Sequence, residues 1–114
     1  LIQKTVTHLK SGGHALFFGI FNENDIDVEV EHRNRNGSNR FESGRNSYSI
    51  RTVEELAESH KMLLEHYKIF DLNIEIEKTY NLERNWTVNI DGKKMFMNGM
   101  GQIFNLYCIV LKKK

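Results

Sequence analysis

Five of the six arginines in this chain, Arg33, Arg35, Arg40, Arg45 and Arg51, fall within residues 32–51, with Phe41 and Tyr48 among them and mostly Asn, Ser and Gly between. A guanidinium presents a planar fork of donors that grips carboxylate or phosphate oxygens two at a time. Interleaved aromatic rings can stack on bases or anchor a protein contact. The stretch therefore has two working readings, recognition of a partner protein and binding of RNA or single-stranded DNA, both through Arg33, Arg35, Arg40, Phe41, Arg45 and Tyr48. A third reading is inert: a solvated loop whose arginines pair with the neighbouring acids between Glu23 and Glu31. No RNP motif, zinc-finger spacing or helix-turn-helix pattern supports nucleic acid.

Other reactive side chains form no recognisable constellation. His8, His14, His32, His60 and His66 are scattered and make no HExxH, HxH or Cys/His ligand set, so the sequence assigns neither a metal site nor a cofactor. His60 falls on an apolar helical face and reads as a structural, hydrogen-bonded histidine. His14, beside Gly12-Gly13, reads as an exposed base with no assignable carboxylate partner, and no catalytic residue can be named. Cys108 lies in an apolar run without the electropositive surroundings that would activate it. The glycine stretches match neither a nucleophile elbow nor a P-loop. Met95, Met97 and Met100 read as core or rim fillers. Asp27, Glu29, Glu31, Glu75 and Glu77 alternate with apolar residues, as on solvated strand faces, with an acidic docking face as the sharper reading.

A chain of 114 residues with 39% apolar and 27% charged residues is expected to form one domain, 1–114, of the soluble globular class. Its net charge of +1 is distributed in blocks: +2 over 1–21, −5 over 22–31, +4 over 32–51, −5 over 52–83 and +5 over 84–114. Such blocks can create basic and acidic faces on a nearly neutral protein. No apolar run approaches the ~18 residues of a membrane helix. The lone cysteine suits a reducing, cytoplasmic setting. The chain starts at Leu1 rather than Met, which leaves a natural start upstream open.

The elements that must position these residues follow from periodicity. Ile2, Val6 and Leu9 predict a short helix stopped by Ser11-Gly12-Gly13, although Thr5-Val6-Thr7 keeps a strand open. Residues 14–21, apolar on both faces, predict a central strand that pairs as a hairpin with alternating 26–31. Residues 33–44 read as a long loop and 45–50 as a short returning strand. Thr52 and Glu55 have capping-box spacing, and the apolar residues from Val53 to Phe70 predict the main helix, 52–70. A one-sided strand follows over 72–77. Asp91-Gly92 is a type I′ turn signal that pairs Trp86 with Met97, Val88 with Met95 and Ile90 with Lys93. Residues 98–101 read as a flexible connection, 103–111 as a second central strand, and Lys112–Lys114 as a charged tail.

Together these predict an α+β fold: a mainly antiparallel sheet of about five to seven strands, with helix 52–70 on one face and the short N-terminal helix beside it. The expected function is a small non-enzymatic protein-interaction module, of inhibitor, immunity or adaptor type, led by the arginine-rich loop 32–51. RNA or single-stranded DNA binding through the same residues is the alternative. A small enzyme with an unassigned His/carboxylate site is the second alternative. A protein partner is expected first, nucleic acid second, self-association remains open, and no membrane is expected.

Overall fold

The computed structural model describes residues 1–71 and 73–114. In chain order the elements are α1 (Ile2–His8), β1 (His14–Asn22), β2 (Glu31–Arg33), β3 (Phe41–Ser43), β4 (Tyr48–Ser49) and α2 (Ile50–Ser59). They continue with β5 (Met62–Ile69), β6 (Trp86–Ile90), β7 (Lys93–Met97), β8 (Ile103–Phe104) and β9 (Leu106–Lys113). The α+β class is as expected, but the strands do not form one antiparallel sheet. They form a four-stranded sheet in the order β4-β1-β9-β5, a two-stranded β2-β3 ribbon and a three-stranded β6-β7-β8 sheet. The β1–β4 pairing is parallel, and β1–β9 and β9–β5 are antiparallel.

The core lies between the four-stranded sheet and the helices. Ile50, Val53 and Ala57 of α2 pack with Met62 and with Tyr107, Ile109 and Leu111 of β9, while Ile2, Val6 and Leu9 from α1 and its C-terminal end close the side. Helix α1 ends at Leu9, and Lys113 Nζ donates to the carbonyls of Val6 and Leu9 at 2.8 and 2.7 Å. A cation at that end satisfies carbonyls left without helical partners and suits the negative end of the helix dipole. Lys112 and Lys113 thus belong to β9 rather than to a tail.

Strand β1 is interior to its sheet, but its second face is only partly covered, by Phe70 edge-on to Phe18 and around half-buried Ile20. Ala15 and Phe17 pack against the core, whereas Leu16 and Phe18 are 68% and 54% exposed. The expectation of burial on both sides fails because the described helices, α1 and α2, both pack on the same face.

The helix expected over 52–70 is shorter and starts earlier. Ser49 is its N-cap, with Oγ accepting the Thr52 N–H at 3.2 Å. The carboxylate that completes the cap is not Glu55 but Asp27, which accepts the Ser49 N–H at 2.8 Å and the Thr52 hydroxyl at 2.7 Å. These bonds, the one from the Ser49 backbone first, hold the Asp27 carboxyl below its usual value. The helix stops at His60, Lys61 adopts φ 58°, and the chain turns into β5. Apolar residues at 63, 64, 67 and 70 fit a helical period, but a bulge between Leu64 and His66 lets Met62, Leu64, Tyr67 and Ile69 align along β9 instead. Long-range pairing decides between the two patterns.

Residues 26–30 do not form the expected strand, Glu31 instead opens β2, and β1 pairs with none of them. Ile26 and Val28 are 59% and 41% exposed, with a single bridge between Val28 and Ser47. Side chains take over: Asp27 caps α2, and the Asn46 amide oxygen accepts the Val30 N–H at 2.9 Å. Residues 73–77 form no strand either, and Leu72, in the same expected element, lies outside the described residues. The Thr87 side chain and backbone hold Ile76 instead.

The hairpin built on Asp91-Gly92 has the expected register throughout, with φ 50° and 77° at the two turn residues. Its most buried member is Phe96, on the face opposite Trp86 and Val88, stacked on Phe104 at 6.0 Å. The final apolar run is broken at Asn105, so that β8 pairs with β7 and β9 joins the main sheet. Among the described residues no helix is long and apolar enough to cross a membrane.

Candidate functional site: an arginine-bearing hairpin

The 33–44 segment closes into a hairpin rather than a loop. β2 and β3 pair Glu31 with Ser43, His32 with Glu42 and Arg33 with Phe41. The tip is ordered by Asn34, whose carbonyl accepts from the Gly37 and Asn39 N–H groups and whose side-chain oxygen accepts from Asn36 N. This is an Asx-type turn, in which a short side chain mimics backbone. Ser38 Oγ donates to Glu42 Oε1 at 3.1 Å across the tip.

The six residues singled out from sequence divide into two groups. Arg33, Arg35, Arg40 and Phe41 are exposed on the hairpin. The Arg33 guanidinium lies 4.9 Å from the centre of the Phe41 ring, a cation–π contact that orders both side chains; at an exposed site such a contact contributes about 0.5–1 kcal/mol. Arg45 and Tyr48 are half-buried and hold the frame. Arg45, with φ 57°, donates through Nη1 to Asn85 Oδ1 at 3.2 Å, and its carbonyl accepts from Gln102 Nε2 at 2.9 Å. That network continues to the fully buried Asn98, whose side chain donates to Gln102 and accepts from the Met100 and Gln102 N–H groups. Residues 98–102 are therefore a tied turn rather than a flexible connection. Tyr48 donates its hydroxyl to Glu29 Oε1 at 3.1 Å, and this bond pushes the phenol above its usual value.

The arginines on the hairpin are not neutralised by the acids that precede them. Asp27 is engaged at the α2 cap and Glu29 at Tyr48. Among the described residues the one arginine ion pair is Arg51 with Asp25, at 3.5 Å.

The base of the hairpin borders an open cleft of about 620 Å³ lined by His32, Arg33, Asn34, Tyr80, Glu83 and Met100, among others. Its far wall is held by a close approach: Gly99 N donates to Leu82 O at 2.7 Å, and a Cβ at position 99 would overlap the Leu82 side chain. This places the 81–83 turn, which Asn81 Oδ1 stabilises through the Glu83 N–H, against His32. The His32–Glu83 juxtaposition has no sequence signal, because it needs both the hairpin register and the Gly99 contact.

The other histidines lie elsewhere. His14 Nε2 sits 2.7 Å from Glu65 Oε2, a partner supplied by the β5 bulge, and both side chains are about half exposed. His60 Nδ1 lies 3.0 Å from the Leu56 carbonyl at the end of α2, in keeping with the structural role read for it. Cys108 is a half-buried free thiol on β9.

No protein-family model matches this chain, and no curated protein or solved structure is significantly similar to it.

Proposed function

We propose that this chain is a small non-enzymatic binding module, of inhibitor, immunity or adaptor type, whose β2–β3 hairpin engages a partner protein. The observation that carries this reading is that Arg33, Arg35, Arg40 and Phe41 share one ordered, exposed hairpin, with none of the three arginines in an ion pair among the described residues. The hairpin is pre-ordered by its own turn and by the Arg33–Phe41 contact, which lowers the entropy lost on binding. Arginines and aromatics are the side chains that most often anchor protein interfaces, where truncation of an anchor costs about 2 kcal/mol or more.

The charge of the hairpin favours protein over nucleic acid. Glu31 and Glu42 flank its three arginines, so it carries both signs. A partner surface of mixed charge can complement such an arm, whereas a uniform polyanion would be repelled by its two glutamates. Arg45 and Tyr48 position the arm rather than contact the partner. The lone thiol, Cys108, is in keeping with a reducing, cytoplasmic setting.

The test is affinity capture with the wild-type chain and with an Arg33→Ala/Arg35→Ala/Arg40→Ala variant whose circular dichroism matches wild type. A protein retained by the wild type, insensitive to nuclease and lost with the variant supports the proposal. Three phosphate contacts to a single strand would instead give a log–log salt slope of about −2. Nuclease-sensitive capture with that slope would replace the protein reading with RNA or single-stranded DNA.

A further inference from the structure

We infer that His32, Glu42 and Glu83 form a binding site for one first-row divalent cation, with Zn²⁺ the best fit, and that the ion ties the hairpin to the 81–83 turn. The three residues come from three chain segments: β2, β3 and the turn that Gly99 holds in place. The β2–β3 register sets His32 directly opposite Glu42. One donor atom from each of the three residues lies within 4.8 Å of the other two.

The placement of His32 against Glu83 is that of a ligand pair. The His32 side chain is only 19% exposed, and its Nδ1 is buried without a hydrogen-bond partner among the described residues. Its Nε2 lies 3.4 Å from Glu83 Oε1. That is too long for a charge-assisted hydrogen bond, which runs about 2.7–2.9 Å. It is close to the separation of two ligands on a tetrahedral metal, about 3.3–3.4 Å for bonds of 2.0–2.1 Å. The Nε2 edge of a mostly buried imidazole thus faces a carboxylate at ligand spacing without a short hydrogen bond to it, an arrangement that a cation between the two would complete.

The donor set selects the ion class. One imidazole and two carboxylates suit Zn²⁺ and its neighbours, whereas Ca²⁺ and Mg²⁺ prefer all-oxygen shells. The two carboxylate charges balance a divalent cation. Ser38, bonded to Glu42 Oε1, is the kind of outer contact that orients a ligating carboxylate. Because His32 and Glu83 also line the cleft, a fourth coordination position would face solvent there.

The experiment is calorimetric titration of the EDTA-treated, dialysed 114-residue chain with ZnCl₂ alone, alongside hydrogen exchange over residues 31–43. The expected result is one Zn²⁺ per chain with a dissociation constant in or below the micromolar range, slower exchange in the hairpin on binding, and no comparable response to CaCl₂ or MgCl₂. His32→Ala should abolish binding, and Glu83→Gln should weaken it about tenfold or more. If His32→Ala does not fold, Glu83→Gln and the exposed Glu42→Gln decide the matter. Absence of stoichiometric Zn²⁺ binding would overturn the inference. So would one-to-one binding that Glu83→Gln and Glu42→Gln leave unchanged, which would move the ion to another pair such as His14 and Glu65. Neither readout needs a partner protein, so failure here is distinguishable from failure of the binding-module proposal.

Discussion

The Ser49 N–H donates to Asp27 Oδ1 at 2.8 Å, so a residue read from sequence as the solvent side of a strand instead completes the cap of the main helix. The same carboxylate accepts the Thr52 hydroxyl, and both bonds favour its ionised form. The folded pKa of Asp27 is therefore held below that of an ordinary aspartate. A carboxylate whose pKa is depressed on folding contributes stability that is fully present above its unfolded pKa and is lost as pH falls through the folded one. The urea midpoints of wild type and Asp27→Asn should thus differ most at neutral pH and converge as the pH drops below about 4. A gap that stays constant into acid would show that the cap does not depend on the Asp27 charge.

Arg45 differs from the hairpin arginines in what it supports. Its guanidinium and carbonyl tie Asn85 and Gln102 to the chain before α2. Arg45→Ala keeps the backbone carbonyl that Gln102 uses but removes the guanidinium bond to half-buried Asn85, and is expected to cost about 1 kcal/mol. Arg35→Ala and Arg40→Ala are exposed and should stay within about 0.5 kcal/mol of wild type. Denaturant unfolding of the three variants separates them, and equal costs would contradict the division.

The one-sided sheet makes a second contrast. Ile109 is fully buried beneath the helices, while Leu16, on a neighbouring strand, is 68% exposed on the open face. Ile109→Ala should cost about 2–5 kcal/mol. Leu16→Ala should cost well under about 1 kcal/mol, since little apolar surface is returned to water. A large loss for Leu16→Ala would mean that this face is covered in solution.

Lys113 anchors α1 from the opposite end of the chain, through the Val6 and Leu9 carbonyls. Lys113→Met keeps much of the side-chain volume but removes the donors. It should cost about 0.5–2 kcal/mol and speed amide exchange over residues 2–9 with little change in α2. Unaltered exchange there would place the anchoring of α1 in Ile2, Val6 and Leu9 alone.

How much of this was legible in sequence depends on how local each cause is. The Asp91-Gly92 hairpin follows from backbone preferences within a few residues and appears with the expected register, whereas α1 ends at an extended Leu9, ahead of the glycines expected to cap it. The 60–70 segment was not legible as a strand because a one-residue bulge turns a strand pattern into one that also fits a helix. The 26–31 segment alternates like a strand, yet Asp27 and Glu29 are drawn to Ser49, Thr52 and Tyr48, partners about twenty positions away that periodicity does not weigh. The β2–β3 hairpin was missed because its tip, ordered by Asn34, lacks a two-residue turn signal. The clustering of arginines is plain in composition, but composition alone did not separate exposed Arg33, Arg35 and Arg40 from half-buried Arg45.

The most direct test of the binding-module proposal is the affinity of a captured partner for the wild type against the Arg33→Ala/Arg35→Ala/Arg40→Ala chain, at two salt concentrations. With both chains equally folded, a loss of about 2 kcal/mol or more, roughly thirtyfold, and a shallow salt dependence are the expected result. An affinity unchanged by the triple substitution would contradict the assignment of the β2–β3 hairpin as the binding surface.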